Sequence, residues 1–203
     1  MVKVHLIIEG ASKESASLQI ELRKAFHLLL KKSGIITMPR IIAAGGRTQA
    51  YDRFRTMVEN GDFAILLVDS EKNVPDQYKG KPWDFLKTFE SWNWLNTLEN
   101  NQCHLMVQCM ESWFFADKQC LENYYGSGFN RKKLQQRPIE ELSKDTIFKS
   151  LNDAAKGCKN KKDYQKGRDS FKILMLLDPQ RIQTESFWAR RFIATLHDIL
   201  DAE

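Results

Sequence analysis

The chain has 203 residues, of which 42% are apolar and 28% are charged. This composition is typical of a globular protein and excludes a disordered chain. No apolar run approaches the roughly 20 residues that a membrane-spanning helix needs, and no secretory signal precedes the first predicted strand, so we expect a cytoplasmic protein without a membrane anchor. The four cysteines lack CxxC spacing, which favours reduced thiols over a structural metal site.

The net charge of +5 is unevenly distributed along the chain. Residues 1–128 carry 15 basic and 15 acidic side chains, whereas residues 129–203 carry 16 basic and 11 acidic ones. An excess of positive charge in the second part fits a polyanionic partner. It fits a solvated, lysine-rich helical surface about equally well, so charge alone leaves both interpretations open.

Three apolar runs in the first part of the chain are typical of strands buried within a sheet. The segments between these runs show the spacing of amphipathic helices. The first helix is predicted to have its N-cap at Ser12 and to end near Lys32, and the second is predicted to end at Asn60-Gly61. The predicted strands are Val2–Ile8, Met38–Ala44 and Phe63–Glu71.

This β-α-β-α-β order predicts an α/β fold with a mostly parallel sheet, flanking helices and right-handed connections. If the strand order is 2-1-3, the first and third strands are neighbours. The carboxyl ends of these two strands would then meet at one edge of the sheet, where α/β proteins bind their ligands.

The later elements change in character. Residues Trp83 to Leu98 are rich in aromatic side chains and predict a helix that covers the sheet. His104–Gln108 is predicted as a fourth strand, and Met110–Tyr125 as another helix. No strand-like run follows Gly128, so residues 129–203 are interpreted as a basic helical extension packed on an α/β domain of residues 1–128.

Acidic residues follow two of the predicted strands. Glu9 comes after the first strand, while Asp69 and Glu71 end the third. Because side chains alternate along a strand, residues two apart point the same way, and Asp69 and Glu71 should present their carboxylates together. Glu111, near the start of a predicted helix, either adds a fourth carboxylate or serves only as a favourable acid in a first helical turn.

Other catalytic patterns are missing from the sequence. It contains no GxxxxGK[ST] loop, and no Ser-His-Asp or Cys-His arrangement can be assembled from it. Clustered acids repel one another unless they are protonated or bound to cations, and Mg²⁺ prefers oxygen ligands. A pair of metals roughly 4 Å apart can assist phosphodiester cleavage. The acids therefore predict a site for Mg²⁺ or Mn²⁺.

The densest basic segment runs from Lys156 to Lys172 and is the best candidate for contacts with phosphates. We expect this segment and Arg47 to steer a nucleic acid towards the acids. The residues predicted to contact nucleic acid are Arg47, Lys159, Lys161, Lys162 and Lys166.

Glu9-Gly10 after the first strand and Asp69-x-Glu71 after the third resemble the Toprim domain of topoisomerases, primases and overcoming-lysogenization-defect (OLD) nucleases. Longer stretches are more closely similar to a family of small, uncharacterised bacterial Toprim-related proteins, often encoded beside an ATPase and suspected of roles in phage defence. These stretches are Ile8-Glu-Gly-Ala-Ser-Lys-Glu14, Gly45-Gly-Arg47, Leu67-Val-Asp-Ser-Glu71, Gln108-Cys-Met-Glu-Ser-Trp-Phe-Phe-Ala-Asp117 and Tyr164-x-Lys166.

The resemblance implies a Toprim-like, Rossmann-like fold and roles for individual acids. Glu9, Asp69 and Glu71 match the metal-binding acids, and Glu14 and Glu111 would supply further acids for a second metal. Glu71 stands where many Toprim domains have Asp, which changes the reach of that carboxylate and so puts metal spacing in question.

We therefore expect a Mg²⁺- or Mn²⁺-dependent nuclease that hydrolyses phosphodiesters of DNA or RNA, as the effector of a partner ATPase in phage defence. By the same resemblance, Lys166 would stabilise charge at the scissile phosphate. Small nucleases often pair to cut duplexes, so a homodimer is also expected. The residues assigned to catalysis are Glu9, Asp69, Glu71, Glu111 and Lys166.

Two other functions fit the same residues. The first is a non-catalytic Toprim-like module that docks to a partner ATPase and binds no metal. The second is a receiver-like domain in which Asp69 accepts a phosphoryl group. Receivers usually carry paired acids after the first strand and are shorter than this chain, so the receiver ranks last.

Overall fold

The computed structural model of the chain describes residues 3–11 and 15–201. Its four strands are β1 (Val4–Ile8), β2 (Arg40–Ala43), β3 (Phe63–Asp69) and β4 (Cys103–Met106). They form one parallel sheet in the order β2-β1-β3-β4, so the predicted adjacency of the first and third strands is confirmed. Helices flank this sheet, which confirms the α/β class and is consistent with a Rossmann-like fold.

The helices in the described part of the chain fill the connections between strands and the region after β4. None of them is both long enough and apolar enough to cross a membrane. The helices are α1 (Ala16–Lys32), α2 (Arg47–Glu59), α3 (Pro82–Lys87), α4 (Lys118–Tyr125), α5 (Lys144–Ala155), α6 (Ser170–Leu176), α7 (Pro179–Glu185) and α8 (Phe187–Leu200).

Helix α1 ends at the predicted residue but begins later than the sequence pattern indicates. Its N-cap is Ser15, whose hydroxyl accepts a hydrogen bond from the backbone N–H of Leu18 at 3.4 Å. The predicted cap, Ser12, lies outside the described residues, as does the predicted strand start at Val2. Both serines precede the apolar pattern, so the sequence alone does not distinguish them as caps.

The helix predicted within Trp83–Leu98 is present as α3, which ends at Lys87. The rest is irregular and packs its aromatic rings on α2, on the face of the sheet opposite the main core. Trp92 stacks on Tyr51 with ring centroids 4.2 Å apart, and the Tyr51 hydroxyl donates to the carbonyl of Asn93 at 3.0 Å. Ring packing and side-chain hydrogen bonds therefore replace helical backbone bonds along this stretch.

The predicted helix over Met110–Tyr125 is interrupted at Asp117. A 3₁₀ helix occupies Met110–Ala116, and α4 starts afresh at Lys118. Asp117 is the N-cap of α4, since its carboxylate accepts the backbone N–H of Cys120 at 3.2 Å. An acidic residue that caps a new helix explains why the apolar periodicity continues through a break in the backbone.

The helices after residue 128 pack directly against the α/β part. α6 lies on α1, and α8 lies on β4. Phe171 of α6 and Phe192 of α8 belong to the same buried apolar core as Leu22 and Phe26 of α1. This packing brings the second part of the chain to the carboxyl edge of the sheet, where the predicted site lies.

Candidate metal centre

Two acids meet where β1 and β3 end side by side. Glu9 follows the last residue of β1, and Asp69 is the last residue of β3. The backbone N–H of Glu9 donates to the carbonyl of Leu67 at 2.9 Å, and the N–H of Asp69 donates to the Glu9 carboxylate at 3.0 Å. Parallel pairing of the two strands therefore fixes both residues at one edge.

Glu71 joins these acids through a turn. The sequence pattern predicts that Asp69 and Glu71 share one face of a continuous strand, but β3 ends at Asp69 and Glu71 has a left-handed backbone with φ of +63°. The N–H of Glu71 donates to the carbonyl of Gln108 at 3.0 Å, which holds this conformation. The expected juxtaposition is therefore present, but its cause is a turn that is uncommon for a residue with a side chain.

Glu9, Asp69 and Glu71, hereafter the acidic cluster, could hold a metal ion. One carboxylate oxygen from each residue lies within 4.8 Å of the others. Three carboxylates are the hard oxygen donors that Mg²⁺ and Mn²⁺ accept. The donor set thus fits a divalent cation, in agreement with the prediction of a cation site at this edge.

Sequence reasoning missed Lys144, the first residue of α5. Its ammonium lies 3.3 Å from Oδ2 of Asp69 and 2.5 Å from Oε1 of Glu71, so a cation already bridges two acids of the cluster. One signal was available, because a lysine in the first turn faces the positive end of the helix dipole and is unfavourable there without a compensating anion.

Arg47, at the start of α2, contacts the acidic cluster from the other side. Its Nε lies 2.6 Å from Glu90, its Nη1 lies 3.6 Å from Glu9, and the same Nη1 donates to the backbone carbonyl of Asp69. Arg47 was expected to steer substrate. The structure instead shows its guanidinium committed to protein acceptors, which suits it to positioning Glu9.

Glu111 lies beside the acidic cluster and is 1% exposed. One of its oxygens accepts the hydroxyl of Tyr164 at 2.8 Å, and the other is buried with no hydrogen-bond partner in the described part of the chain. The Tyr164 hydroxyl also contacts Ser170 at 2.7 Å. Glu111 lies in the first turn of the 3₁₀ helix and also beside the acidic cluster. Its position therefore fits both interpretations from the sequence, as an acid in a first helical turn and as a fourth carboxylate of the site.

A cleft of about 490 Å³ opens beside the acidic cluster. Apolar residues and glycines from the turns after β1 and β2 form most of its walls. Among the described residues, Lys166 is the basic one that lines it, so one of the predicted phosphate contacts faces the acids. The charged lining residues are Glu9, Asp69, Glu111 and Lys166.

Two acids of this site, Glu9 and Asp69, resist ionisation. Burial and the neighbouring Asp69 carboxylate raise the pKa of Glu9 to about 7. Burial also raises the pKa of Asp69 to about 6, with Lys144 opposing the increase and Glu111 adding to it. Loss of water acts to lower the pKa of Lys144 and Lys166, but the surrounding carboxylates outweigh it and raise the pKa of both lysines. Such mutually perturbed groups are typical of functional sites.

The remaining predicted residues lie elsewhere. Lys159 and Lys162 are exposed and do not line the cleft. The ammonium of Lys161 donates to the carbonyl of Tyr124 at 2.7 Å and covers its ring, so it stabilises the fold. Glu14 lies outside the described residues. The basic segment therefore brings Lys166 alone of its predicted contacts to the cleft.

Fold and site together define an α/β protein whose parallel sheet carries an acidic cluster able to hold a metal ion at its carboxyl edge. The chain belongs to the family described as Domain of unknown function (DUF4276), which it matches over residues 8–197. No curated protein and no solved structure matches it. The family match gives no link to Toprim domains or OLD nucleases, so that part of the resemblance stays a prediction.

Proposed function

We propose that this protein is a Mg²⁺- or Mn²⁺-dependent nuclease that hydrolyses phosphodiester bonds in DNA or RNA. The observation that carries the proposal is the convergence of Glu9, Asp69 and Glu71 within 4.8 Å, beside a cleft that also presents Lys166. Acids that bind a divalent ion and a lysine that binds an anion are the two requirements for holding a phosphate between them.

Individual residues would have separate roles in the proposed reaction. Glu9, Asp69 and Glu71 would hold the ion, which when bound supplies Lewis acidity and lowers the pKa of water near the phosphorus. Lys166 would contact the phosphate and offset the negative charge that develops on it. Arg47 would keep Glu9 and the end of β3 in place through its contacts with both.

A Toprim-type classification, a partner ATPase, a homodimer and a role in phage defence also belong to this proposal. The classification, the partner ATPase and the role in phage defence rest on the resemblance of the sequence motifs, and the homodimer rests on the pairing that is common among small nucleases. The order β2-β1-β3-β4 and the acids after β1 and β3 are compatible with that classification.

The test is incubation of the purified protein with plasmid DNA and with RNA in Mn²⁺. Wild type should cleave at least one of them, and Glu9→Gln and Asp69→Asn should abolish cleavage, because each removes a charged ligand without changing side-chain shape. The matched control is Asp62→Asn. Asp62 is an exposed acid that directly precedes β3, the strand that ends at Asp69. Unchanged cleavage in both cluster variants would refute the mechanism.

A second candidate function is a non-catalytic module that docks to a partner protein. It is favoured by the internal cations: Lys144 bridges Asp69 and Glu71, and Arg47 pairs with Glu9, so part of the cluster's charge is already neutralised. Calorimetric titration separates the two functions. Saturable Mn²⁺ binding that Asp69→Asn abolishes supports the nuclease, whereas absence of binding in the wild type supports the module.

A further inference from the structure

A second groove, of about 520 Å³, follows the outer edge of the sheet. β2 is the edge strand here, and α1 and α2 form the two sides of the groove. One arginine projects from each of these three elements: Arg23 from α1, Arg40 from β2 and Arg53 from α2. We call this feature the arginine groove.

The arginine groove contrasts with the acidic cluster in its charge. No acidic residue is among the described residues that line it, and the side chains of its three arginines make no hydrogen bond or ion pair with any described residue. Arg40 and Arg53 are exposed, and Arg23 is half-buried. Three unpaired guanidinium groups around one concave surface create a positive potential that attracts anions, and guanidinium groups suit phosphates particularly well.

The arginine groove leads to the cleft. β2 runs from Arg40 towards the carboxyl edge of the sheet, so the groove extends about 13 Å along the strand before it reaches Ala44. Gln49 of α2 lines both the groove and the cleft, and Gly45 of the cleft directly follows Ala44 of the groove. The groove and the cleft therefore adjoin at these residues.

We propose that the arginine groove binds the phosphate backbone of single-stranded nucleic acid and directs the strand into the cleft. This inference rests on the proposed nuclease function and adds its substrate class. Asp69 is 6% exposed and Glu111 is 1% exposed, so the scissile phosphate must enter the cleft to reach them. A cleft of about 490 Å³ admits one strand, whereas a paired duplex presents its phosphates on a much wider body. Positively charged grooves that follow the backbone are the usual means of binding single strands.

The experiment measures binding of a short fluorescein-labelled single-stranded oligonucleotide by fluorescence anisotropy. It is done in EDTA, so that no cleavage occurs. Arg40→Gln/Arg53→Gln should weaken binding by roughly tenfold or more, because two phosphate contacts are lost. The slope of log affinity against log salt concentration should become shallower by about 1.4, since each contact with a single strand contributes about 0.7. Both arginines are exposed, so the variant should fold.

Lys132→Gln/Lys133→Gln is the matched control. It removes the same charge from exposed positions outside the arginine groove and the basic segment, and its affinity and salt slope should remain close to those of wild type. Equal losses in both double variants would show general charge attraction and overturn the proposal. Wild-type binding by the arginine variant would also overturn it, as would tighter wild-type binding to a duplex of the same sequence.

Failure of this inference differs from failure of the nuclease proposal. Wild type that binds the oligonucleotide through the arginines, yet cleaves nothing in Mn²⁺, keeps the arginine groove and rejects the nuclease. Cleavage that depends on Asp69, with an unchanged KM in Arg40→Gln/Arg53→Gln, keeps the nuclease and rejects the arginine groove.

Discussion

At the scale of single residues, the charge balance of the acidic cluster depends on side chains that are remote in sequence. Lys144 reaches Asp69 and Glu71 from α5, and Arg47 reaches Glu9 from α2. Each cation lowers the repulsion between neighbouring carboxylates and also competes with any divalent ion for them. Any affinity of the acidic cluster for a divalent ion would therefore depend on these two cations as well as on the acids.

Replacement of Lys144 by methionine should strengthen metal binding and weaken the metal-free fold. The ammonium within 3.3 Å of both acids would no longer oppose an incoming cation, so affinity for Mn²⁺ should rise by about tenfold or more. The free energy of unfolding in EDTA should fall by about 1–3 kcal/mol, because Asp69 would keep a buried charge without its partner. Calorimetric titration and urea denaturation measure the two quantities.

Lys149→Met is the control, since Lys149 is exposed on the same helix. It should change neither quantity appreciably. Weaker Mn²⁺ binding by Lys144→Met would mean that the ammonium organises the acids for the metal and does not compete with it.

Glu9 should make the metal-free protein less stable as pH rises. Its pKa is about 7 in the folded protein against an ordinary value of 4.5, so the folded state binds the proton more tightly than the unfolded chain does. Its contribution to stability is full below pH 4.5 and is lost as pH rises from 4.5 through 7. A change of about 1–3 kcal/mol is expected over this range.

The Glu9→Gln variant isolates this effect. Its side-chain oxygen can still accept from the N–H of Asp69, but it does not titrate. The free energy of unfolding is measured by urea denaturation in EDTA. Relative to wild type, it should increase for Glu9→Gln as pH rises from about 5 to about 7.5, because wild-type Glu9 loses its proton over this range. The exposed acid Glu141, replaced by Gln, should show a difference from wild type that does not depend on pH. A constant difference for Glu9→Gln would contradict the raised pKa.

At the scale of elements, the strands and the first two helices could be predicted because their signals are local. Apolar runs fixed the strands, and the alternation of strands with helices required a parallel sheet. The break at Asp117 was missed because apolar periodicity continues across it, although an acidic N-cap is itself a local signal. The end of α3 was not predictable from the aromatic stretch that follows it. Aromatic residues that pack on a core show similar spacing in the sequence whether the backbone is helical or irregular.

The details of the candidate site were less predictable than its location. Strand ends placed Glu9 and Asp69 correctly, since parallel pairing alone decides their adjacency. The orientation of Glu71 depends on a left-handed turn that is held by a backbone bond to Gln108, and no local pattern encodes that partner. Lys144 reaches the site only because α5 folds back across the chain.

The turns after β1 and β2 hold each other, and this pairing can be tested separately from the acids. Gly10 and Gly45 exchange backbone hydrogen bonds at 2.8 and 3.3 Å, and Gly10 has φ of +126°. A Cβ at Gly10 would lie 3.3 Å from Leu22, so Gly10→Ala meets both backbone strain and a close contact. It should lose about 1–2 kcal/mol of stability and displace Glu9, which weakens Mn²⁺ binding.

Gly61→Ala is the matched control for the turn. Gly61 also has a left-handed φ, of +82°, but no atom of the described residues lies within 4 Å of the position that a Cβ would take. It should lose comparable stability while Mn²⁺ binding remains as in wild type. Equal metal affinity in the two variants would show that the paired turns do not position Glu9.

At the scale of the whole molecule, the second part of the chain returns to complete the site begun by the first. Tyr164 hydrogen-bonds to Glu111, Ser170 accepts the N–H of Gly167, and Lys166 lies between these anchors. Part of the positive charge after residue 128 therefore lies at the site, because this part of the chain supplies Lys166, which faces the cleft. The arginine groove, by contrast, lies wholly within the part of the chain that has no net charge.

A double-mutant cycle can measure how tightly the two parts are joined. Tyr164→Phe removes the hydroxyl that donates to the buried carboxylate of Glu111 and should cost about 1–3 kcal/mol in the free energy of unfolding. Glu111→Gln combined with Tyr164→Phe should cost less than the sum of the single changes, with a coupling of about 1–2 kcal/mol.

The control cycle pairs Glu111→Gln with Tyr78→Phe. The hydroxyl of Tyr78 makes no hydrogen bond with a described residue, so the two changes should not couple. Activity adds a second measurement for the main cycle. Because the Tyr164 bond anchors the turn that carries Lys166, Tyr164→Phe should reduce cleavage in Mn²⁺ more than it reduces affinity for Mn²⁺ itself. If the changes in the free energy of unfolding are additive and cleavage is unchanged, the Tyr164 bond does not hold the segment around Lys166. The ion pair between Arg168 and Asp169, at 2.7 Å, would then be enough to hold it.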